Sequence, residues 1–398
     1  MMRRVLTAIA LILILPIASS HGEIHTTNGI ITHEILCSQI DELQFDGARA
    51  NQSVAYQVGL GPRIPQSNAS ALLRTSIAEN LSGWHIENQS HQVAGFQIVN
   101  LEATLNAGTG NIVVLMAHYD TRQVSDKETD ANLSVLPVPG ANDGASGVAV
   151  LLELARHIPA MNLSHEIRLV FTDVEDQGDI TSGGVSIPWA SGSLMWTENL
   201  TVDEIENISS LIVLDMVGDS NLTLSRTSPG NETLWKAVEL LSTSLGMVAE
   251  KEDCNGDNGS GQMDINSKPV FIWDDHTYPI SVGIPAIDII DLKYGSDSIL
   301  AGHHHTLNDS IDKVSAQSLE SVGRLVELGF RARVWSEITE PVSHEIENED
   351  LITNDGVEIE TKSIDLQSTI VGSLIIFMLF AVIAAVACVI FAENEGEL

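Results

Sequence analysis

The sequence predicts an α/β sandwich: a largely parallel central sheet flanked by helices. Two observations carry this. Short apolar runs of strand length recur along the chain, with helical periodicity between them. Each run also ends in polar, mostly acidic side chains, and a largely parallel sheet collects such ends along one rim, where ligands bind.

The first run, 112–116, is β-branched and aliphatic and leads into His118-Tyr119-Asp120. A glycine-rich stretch, Gly140-Ala141-Asn142-Asp143-Gly144-Ala145-Ser146-Gly147, then opens a helix whose apolar stripe is Val148, Leu151, Leu152, Ala155 and Ile158. Asp143 suits a helix N-cap, but its glycine-rich setting also allows a metal or substrate to approach. The stretch is no phosphate loop, because the lysine of that motif is absent. The run 167–171 ends in Thr172-Asp173-Val174-Glu175-Asp176, the run 211–217 holds Asp215, and the run 286–290 ends in Asp291. A last helical stretch covers 318–334. Polar residues stop strands everywhere, so one such end says little. Three or four in one sheet converge on one rim. Near that rim belongs Gly302-His303-His304-His305-Thr306, followed by Asp309 and Asp312. A histidine triplet can be a plain polar tract. Combined with strand-end carboxylates, it completes a nitrogen and oxygen donor set suited to zinc.

Composition excludes other classes. The 398 residues carry 54 acidic against 19 basic side chains, a net charge of −35, so no basic patch binds nucleic acid. Three cysteines make neither a disulfide scaffold nor a four-thiolate zinc module. The catalytic carboxylates need a handful of the acids, and most of the remainder are expected on the surface. The ends read as targeting and anchoring. Residues 1–20 resemble a signal peptide, with Arg3 and Arg4 before an apolar run and Ala18-Ser19-Ser20 for cleavage; an uncleaved anchor is the alternative. Residues 369–392 are uncharged and reach ~36 Å as a helix, against about 30 Å of hydrocarbon, which predicts one transmembrane helix. An acidic stalk, 338–366, precedes it and a short acidic tail, 393–398, follows, leaving a catalytic body at 22–337. The expected place is a cell membrane, with the helix in the bilayer and the body outside the cytoplasm. Twelve Asn-x-Ser/Thr sites, Asn51, Asn68, Asn80, Asn88, Asn132, Asn162, Asn199, Asn207, Asn221, Asn231, Asn258 and Asn308, agree with that side. Cys37 and Cys254 are then the only thiols outside the span, where they could pair; Cys388 lies within it.

His118-Tyr119-Asp120-Thr121, the segment 140–156, Glu175-Asp176, Leu214-Asp215-Met216-Val217-Gly218 and His305-Thr306 together resemble the zinc-aminopeptidase family, metallopeptidase family twenty-eight. The resemblance covers about 45–335 and implies a mixed sheet in a three-layer sandwich. Glu175-Asp176, Trp189-Ala190-Ser191-Gly192-Ser193 and Asp274-Asp275-His276 ahead of 283–290 look like its glutaminyl cyclase branch. Phe45-Asp46-Gly47 and 61–65 are similar to its bacterial members. Carried over, the resemblance implies Asp143, Asp176 and His305 as ligands of one zinc and Glu175 as proton shuttle. Asp215 with the pair Asp274 and Asp275, Asp275 favoured, would form a catalytic hydrogen-bond network. His118 and Asp215 match ligands of a second metal. One departure is His304, where cyclases usually carry an aromatic residue; Trp273, Tyr278 or Tyr294 would have to rebuild that wall. Three functions stay open: a one-zinc glutaminyl-peptide cyclotransferase, a two-zinc aminopeptidase, and a non-catalytic ectodomain on the same fold. The first two act on peptide or protein N-termini. The sequence leaves the oligomeric state open.

Overall fold

The computed structural model describes residues 22–182 and 185–339. The expected signal peptide, transmembrane helix, tail and all but the start of the stalk lie outside them. Among the described residues no helix is long and apolar enough to cross a membrane. The described residues all fall within one compact unit, Met1–Pro341.

The body's main sheet has eight strands among the described residues: β1 (His85–Val93), β2 (Phe96–Leu105), β3 (Ile112–His118), β4 (Glu166–Thr172), β5 (Ile208–Asp215), β6 (Leu224–Ser225), β7 (Met263–Asp264) and β8 (Ala286–Ile290). Their order across the sheet is β7-β6-β8-β5-β3-β4-β2-β1. The centre, β8-β5-β3-β4, is parallel, while β2 and β1 pair antiparallel with their neighbours and β6 pairs antiparallel with β8 but parallel with β7. The sheet is therefore mixed. The four strands read from the sequence are the parallel centre, because strands buried on both faces become unbroken apolar runs. The run expected at 211–217 stops at Asp215, since Met216 turns into left-handed backbone at φ 44°.

Alternation along the central strands builds both faces. Val113, Leu115 and Ala117 of β3 join Leu169 of β4 and Leu214 of β5 in the larger core cluster. Ile112, Val114 and Met116 join Val213 and Trp196 on the opposite face. The larger cluster is covered by α1 (Gly47–Gly59), α2 (Ala145–His157) and, nearer the C-terminus, α5 (Ala316–Arg331). The other face is covered by α3 (Ser191–Asn199), which brings Trp196, and α4 (Glu232–Ser244) adds Leu234 and Val238 to the larger cluster. The expected helix 318–334 begins earlier, capped by Ser315, and ends at Arg331; left-handed Arg333 separates it from a short helix at Val334–Glu337. Helix α2 seats tightly on β5: a Cβ on Gly147 would lie 2.0 Å from the Leu214 carbonyl oxygen.

Cys37 and Cys254 form a disulfide. Ten of the twelve Asn-x-Ser/Thr asparagines are exposed, and Asn51 and Asn231 are half-buried. Most acids outside the candidate site are exposed or half-buried, as expected, but sixteen Asp and Glu among the described residues are buried, beyond a catalytic handful. Many of them pair with the backbone. Glu327, for example, accepts the amides of Gln44 and Phe45, and Asp291 those of Thr223 and Lys293. A buried carboxylate thereby satisfies loop amides that would otherwise be orphaned.

Candidate active site

A cavity of about 520 Å³ lies at the carboxyl ends of the parallel strands, and Asp143, Glu175, Asp176, Asp215, Asp274 and His305 all line it. Parallel register places these groups together. His118 ends β3 beside Thr172 of β4, and Asp215 ends β5 beside Ile290 of β8. His118 Nε2 lies 3.1 Å from Asp215 Oδ1 and 3.1 Å from Asp143 Oδ1. The other oxygen of Asp143 lies 3.8 Å from His305 Nε2, which contacts Asp176 Oδ1 at 2.7 Å. Asp143 thus faces both groups, His118 with Asp215 and His305 with Asp176. It is not a helix cap: the cap position is Gly144, with no side-chain cap bond.

These residues fit a metal. Asp143 Oδ2 and Asp176 Oδ2 are buried without a hydrogen-bond partner, and buried carboxylate oxygens rarely stay so. Behind each imidazole stands a further carboxylate: Asp120 Oδ1 at 3.4 Å from His118 Nδ1, and Asp126 Oδ1 at 3.4 Å from His305 Nδ1. Such backing orients an imidazole with its other nitrogen toward a metal. Among the described residues, donors close enough to share an ion include His118-Asp143-Asp215 and Asp143-His304-His305 around Asp143, and Asp274-His276-Asp288 beside them. His304 is a poor ligand all the same. Its Nδ1 meets the Lys127 ammonium at 2.5 Å; lysine only donates, so Nδ1 accepts and Nε2 of the neutral ring carries the hydrogen. Burial, then His305, lowers the His304 pKa to about 3, which keeps it neutral.

The carboxylates cannot all ionise together. Burial, then Asp274, pushes Glu175 well above the usual carboxylate range. Burial, then Asp215, does the same to Asp274. Burial, then Asp143, raises Asp176 to about 6. Burial alone would lower the two histidines, but their carboxylate neighbours win: His305 rises to about 9 beside Asp176, and His118 also rises beside Asp120, Asp143 and Asp215. A site with this surplus of negative charge favours a bound cation.

The turn carrying Glu175 and Asp176 is held by Asp120, a residue that sequence reasoning placed at a strand end without a task. Asp120 accepts the amides of Glu175 (3.1 Å) and Asp176 (3.3 Å) and the Gln177 side-chain amide (2.9 Å). Left-handed backbone clusters here at non-glycine residues, with φ of 60° at Val174, 44° at Met216 and 57° at His305. Strain of this kind persists where surrounding structure enforces it, commonly at functional sites.

Of the pair 274–275, Asp274 faces the cavity. Asp275 lies behind it, fully buried, with Oδ2 accepting from Thr172 Oγ1. The aromatic wall also differs from expectation. Trp273 lines the cavity, and Tyr278 packs edge-on against it at 5.6 Å. Tyr294 is buried elsewhere, donating to Asp309. A further member is Trp189, named in the cyclase-like segment but not assigned to this wall; it stacks on His305 at 6.0 Å with the Arg122 guanidinium 4.8 Å from its ring. Gly178 packs against it, where a Cβ would lie 1.9 Å from the Trp189 ring. Asp291 turns away from the cavity toward its two backbone amides.

Residues 100–328 match the model of peptidase family M28, more than half of the chain. The chain belongs to this family. Solved M28-like neighbours of two kinds resemble it. A Zn-dependent exopeptidase from Parabacteroides distasonis has a TM-score of 0.64 and 29% identity, covering 73% of this chain and 98% of that one. A glutaminyl cyclase from Porphyromonas gingivalis has a TM-score of 0.64 and 28% identity, covering 73% and 99%. The aminopeptidase YwaD of Bacillus subtilis is 25% identical over 60% of this chain, but only 44% of its own length is spanned. The chain therefore spans less than half of such a curated relative. Zinc is the metal named for that exopeptidase neighbour, and M28 membership agrees with the nitrogen and oxygen donor set of this site.

Proposed function

We propose that this M28 protein is a glutaminyl-peptide cyclotransferase, converting an N-terminal glutamine to pyroglutamate with release of ammonia. The observation that supports it most is a cavity carboxylate outside both candidate metal sets around Asp143, namely Asp274, beside Glu175 and Asp215. Cyclisation needs a group that holds the α-amino nitrogen in a folded conformer and an acid that takes and returns one proton. Asp143, Asp176 and His305 would hold one zinc, which supplies Lewis acidity toward the γ-carboxamide oxygen. Glu175 takes a proton from the α-amino nitrogen as that nitrogen bonds to the γ-carbon. It then gives the proton to the carboxamide nitrogen, whose bond to the γ-carbon breaks as ammonia leaves. The raised proton affinity of Glu175 suits both roles. Asp274 and Asp215 orient the amine, and Trp189 with Trp273 walls the folded side chain. Because the attack is intramolecular, orientation supplies much of the rate.

A two-zinc aminopeptidase is the second reading, favoured by Asp143 facing both His118-Asp215 and His305-Asp176. Glu175 would then serve as general base toward water. The proposed setting is a membrane-anchored enzyme with its body outside the cytoplasm, supported by the Cys37–Cys254 disulfide, the exposed Asn-x-Ser/Thr sites and the charge-free run 369–392. Glu175→Gln tests the shuttle: zinc content per chain stays at the wild-type value while turnover of a Gln-peptide falls about 10²- to 10⁴-fold. Near-wild-type turnover would remove Glu175 from this role.

A further inference from the structure

We propose that Asp309 and Arg63 clamp the loop that presents Asp143 and thereby set the zinc affinity of the site. Neither residue lines the cavity, and both are fully buried. The proposal rests on reading Asp143 as a zinc ligand. Asp143 is the carboxylate that faces both imidazoles, so its placement controls the whole donor set. Its loop is gripped from two sides. Asp309 Oδ1 accepts the Asn142 amide at 2.7 Å and Oδ2 accepts the Asp143 amide at 3.3 Å. The Asp309 carbonyl also accepts the Ala141 amide, at 3.3 Å. Opposite, the Arg63 guanidinium donates through one nitrogen to the Pro139 carbonyl and through another to the Gly140 carbonyl. Five consecutive residues, 139–143, are thus tied by carbonyl or amide to Asp309 or Arg63, four of them to the side chain and Ala141 to the Asp309 backbone carbonyl.

Isolated buried charges are costly, so each needs partners, and both find theirs in this loop. An ionised carboxylate differs from an amide in offering two acceptor oxygens at once, and both are used here on adjacent amides. Tyr294 Oη donates to Asp309 Oδ1 at 2.8 Å and sets its orientation. Asp309 also stands four positions after His305, with its amide bonded to the Thr306 carbonyl. One short segment therefore carries one imidazole ligand and the clamp on the shared carboxylate. Displacing it moves both ligands.

Asp309→Asn keeps the size but turns one oxygen into an NH₂ facing a backbone amide. Zinc affinity is read on the full, metal-stripped chain by competition with a chelator of known affinity, alongside thermal unfolding of the same stripped sample. The clamp predicts a zinc dissociation constant raised about 10- to 100-fold with the stripped protein's unfolding midpoint close to wild type. Wild-type affinity in a folded variant overturns it. Should Asp309→Asn fail to fold, Tyr294→Phe removes only the orienting bond. Its dissociation constant is expected to rise about threefold, and an unchanged value overturns the clamp. Wild-type protein that takes up no zinc overturns the zinc reading itself, and with it the clamp's role.

Discussion

At the scale of single residues, the site's chemistry depends on which side of a backbone an oxygen falls. Asp274 and Asp275 are adjacent and chemically identical, yet one faces the cavity and the other is tied to Thr172 behind it. Asp274→Asn should lower turnover of a Gln-peptide about 100-fold, whereas Asp275→Asn should cost several-fold less; steady-state kinetics on both decide, and the reverse order would return the role to Asp275. The sequence carried the pair but could not orient it, because alternation is readable only inside a regular strand or helix and these residues lie outside both. The ligand types were legible for the opposite reason. Asp215 ends a strand, Asp176 closely follows one and Asp143 lies just before a helix, all with plain apolar patterns, while His305 stood out as the end of a histidine triplet. The role of Trp189 was not legible, since it comes from stacking on a residue more than a hundred positions away.

At the scale of elements, legibility followed burial. The central strands were visible as apolar runs. The hairpin β1–β2 was not: β1 is largely exposed and polar, and its turn is marked only by Ala94 and Gly95, both in left-handed backbone. Pairing against β4, rather than its own composition, makes this pair part of the sheet. The seat of α2 on β5 links two ligand-bearing elements, Asp143 before the helix and Asp215 at the strand end. Gly147→Ala puts a methyl into the Leu214 carbonyl and must lift the helix. The expected loss is on the order of 1–3 kcal/mol in urea unfolding, with Gln-peptide turnover falling further than that loss of folded protein explains. Unchanged stability would show that the helix seats with slack.

At the scale of the whole molecule, the acidic balance reaches the interior. Asp173 shows the consequence: burial, then Asp120, raises its pKa to about 7, against about 3.9 in an unfolded chain. The folded state therefore holds a proton that the unfolded state has released between these values, so this group's contribution to stability falls as pH rises through that window. Asp173→Asn mimics the protonated form and keeps the acceptor for the Val99 amide. In chelator-treated protein, its unfolding midpoint should match wild type near pH 4 and gain on it toward pH 7; parallel curves would contradict the assignment.

The interior acids, the strained turn at Glu175 and the cavity carboxylate of Asp274 converge on one claim, that the enzyme closes an N-terminal glutamine onto itself. Mass spectrometry of a glutaminyl peptide incubated with the zinc-loaded protein tests it most directly. The expected product is the full-length peptide lighter by one ammonia; a peptide shortened by its first residue would contradict cyclisation and leave the two-zinc aminopeptidase in its place.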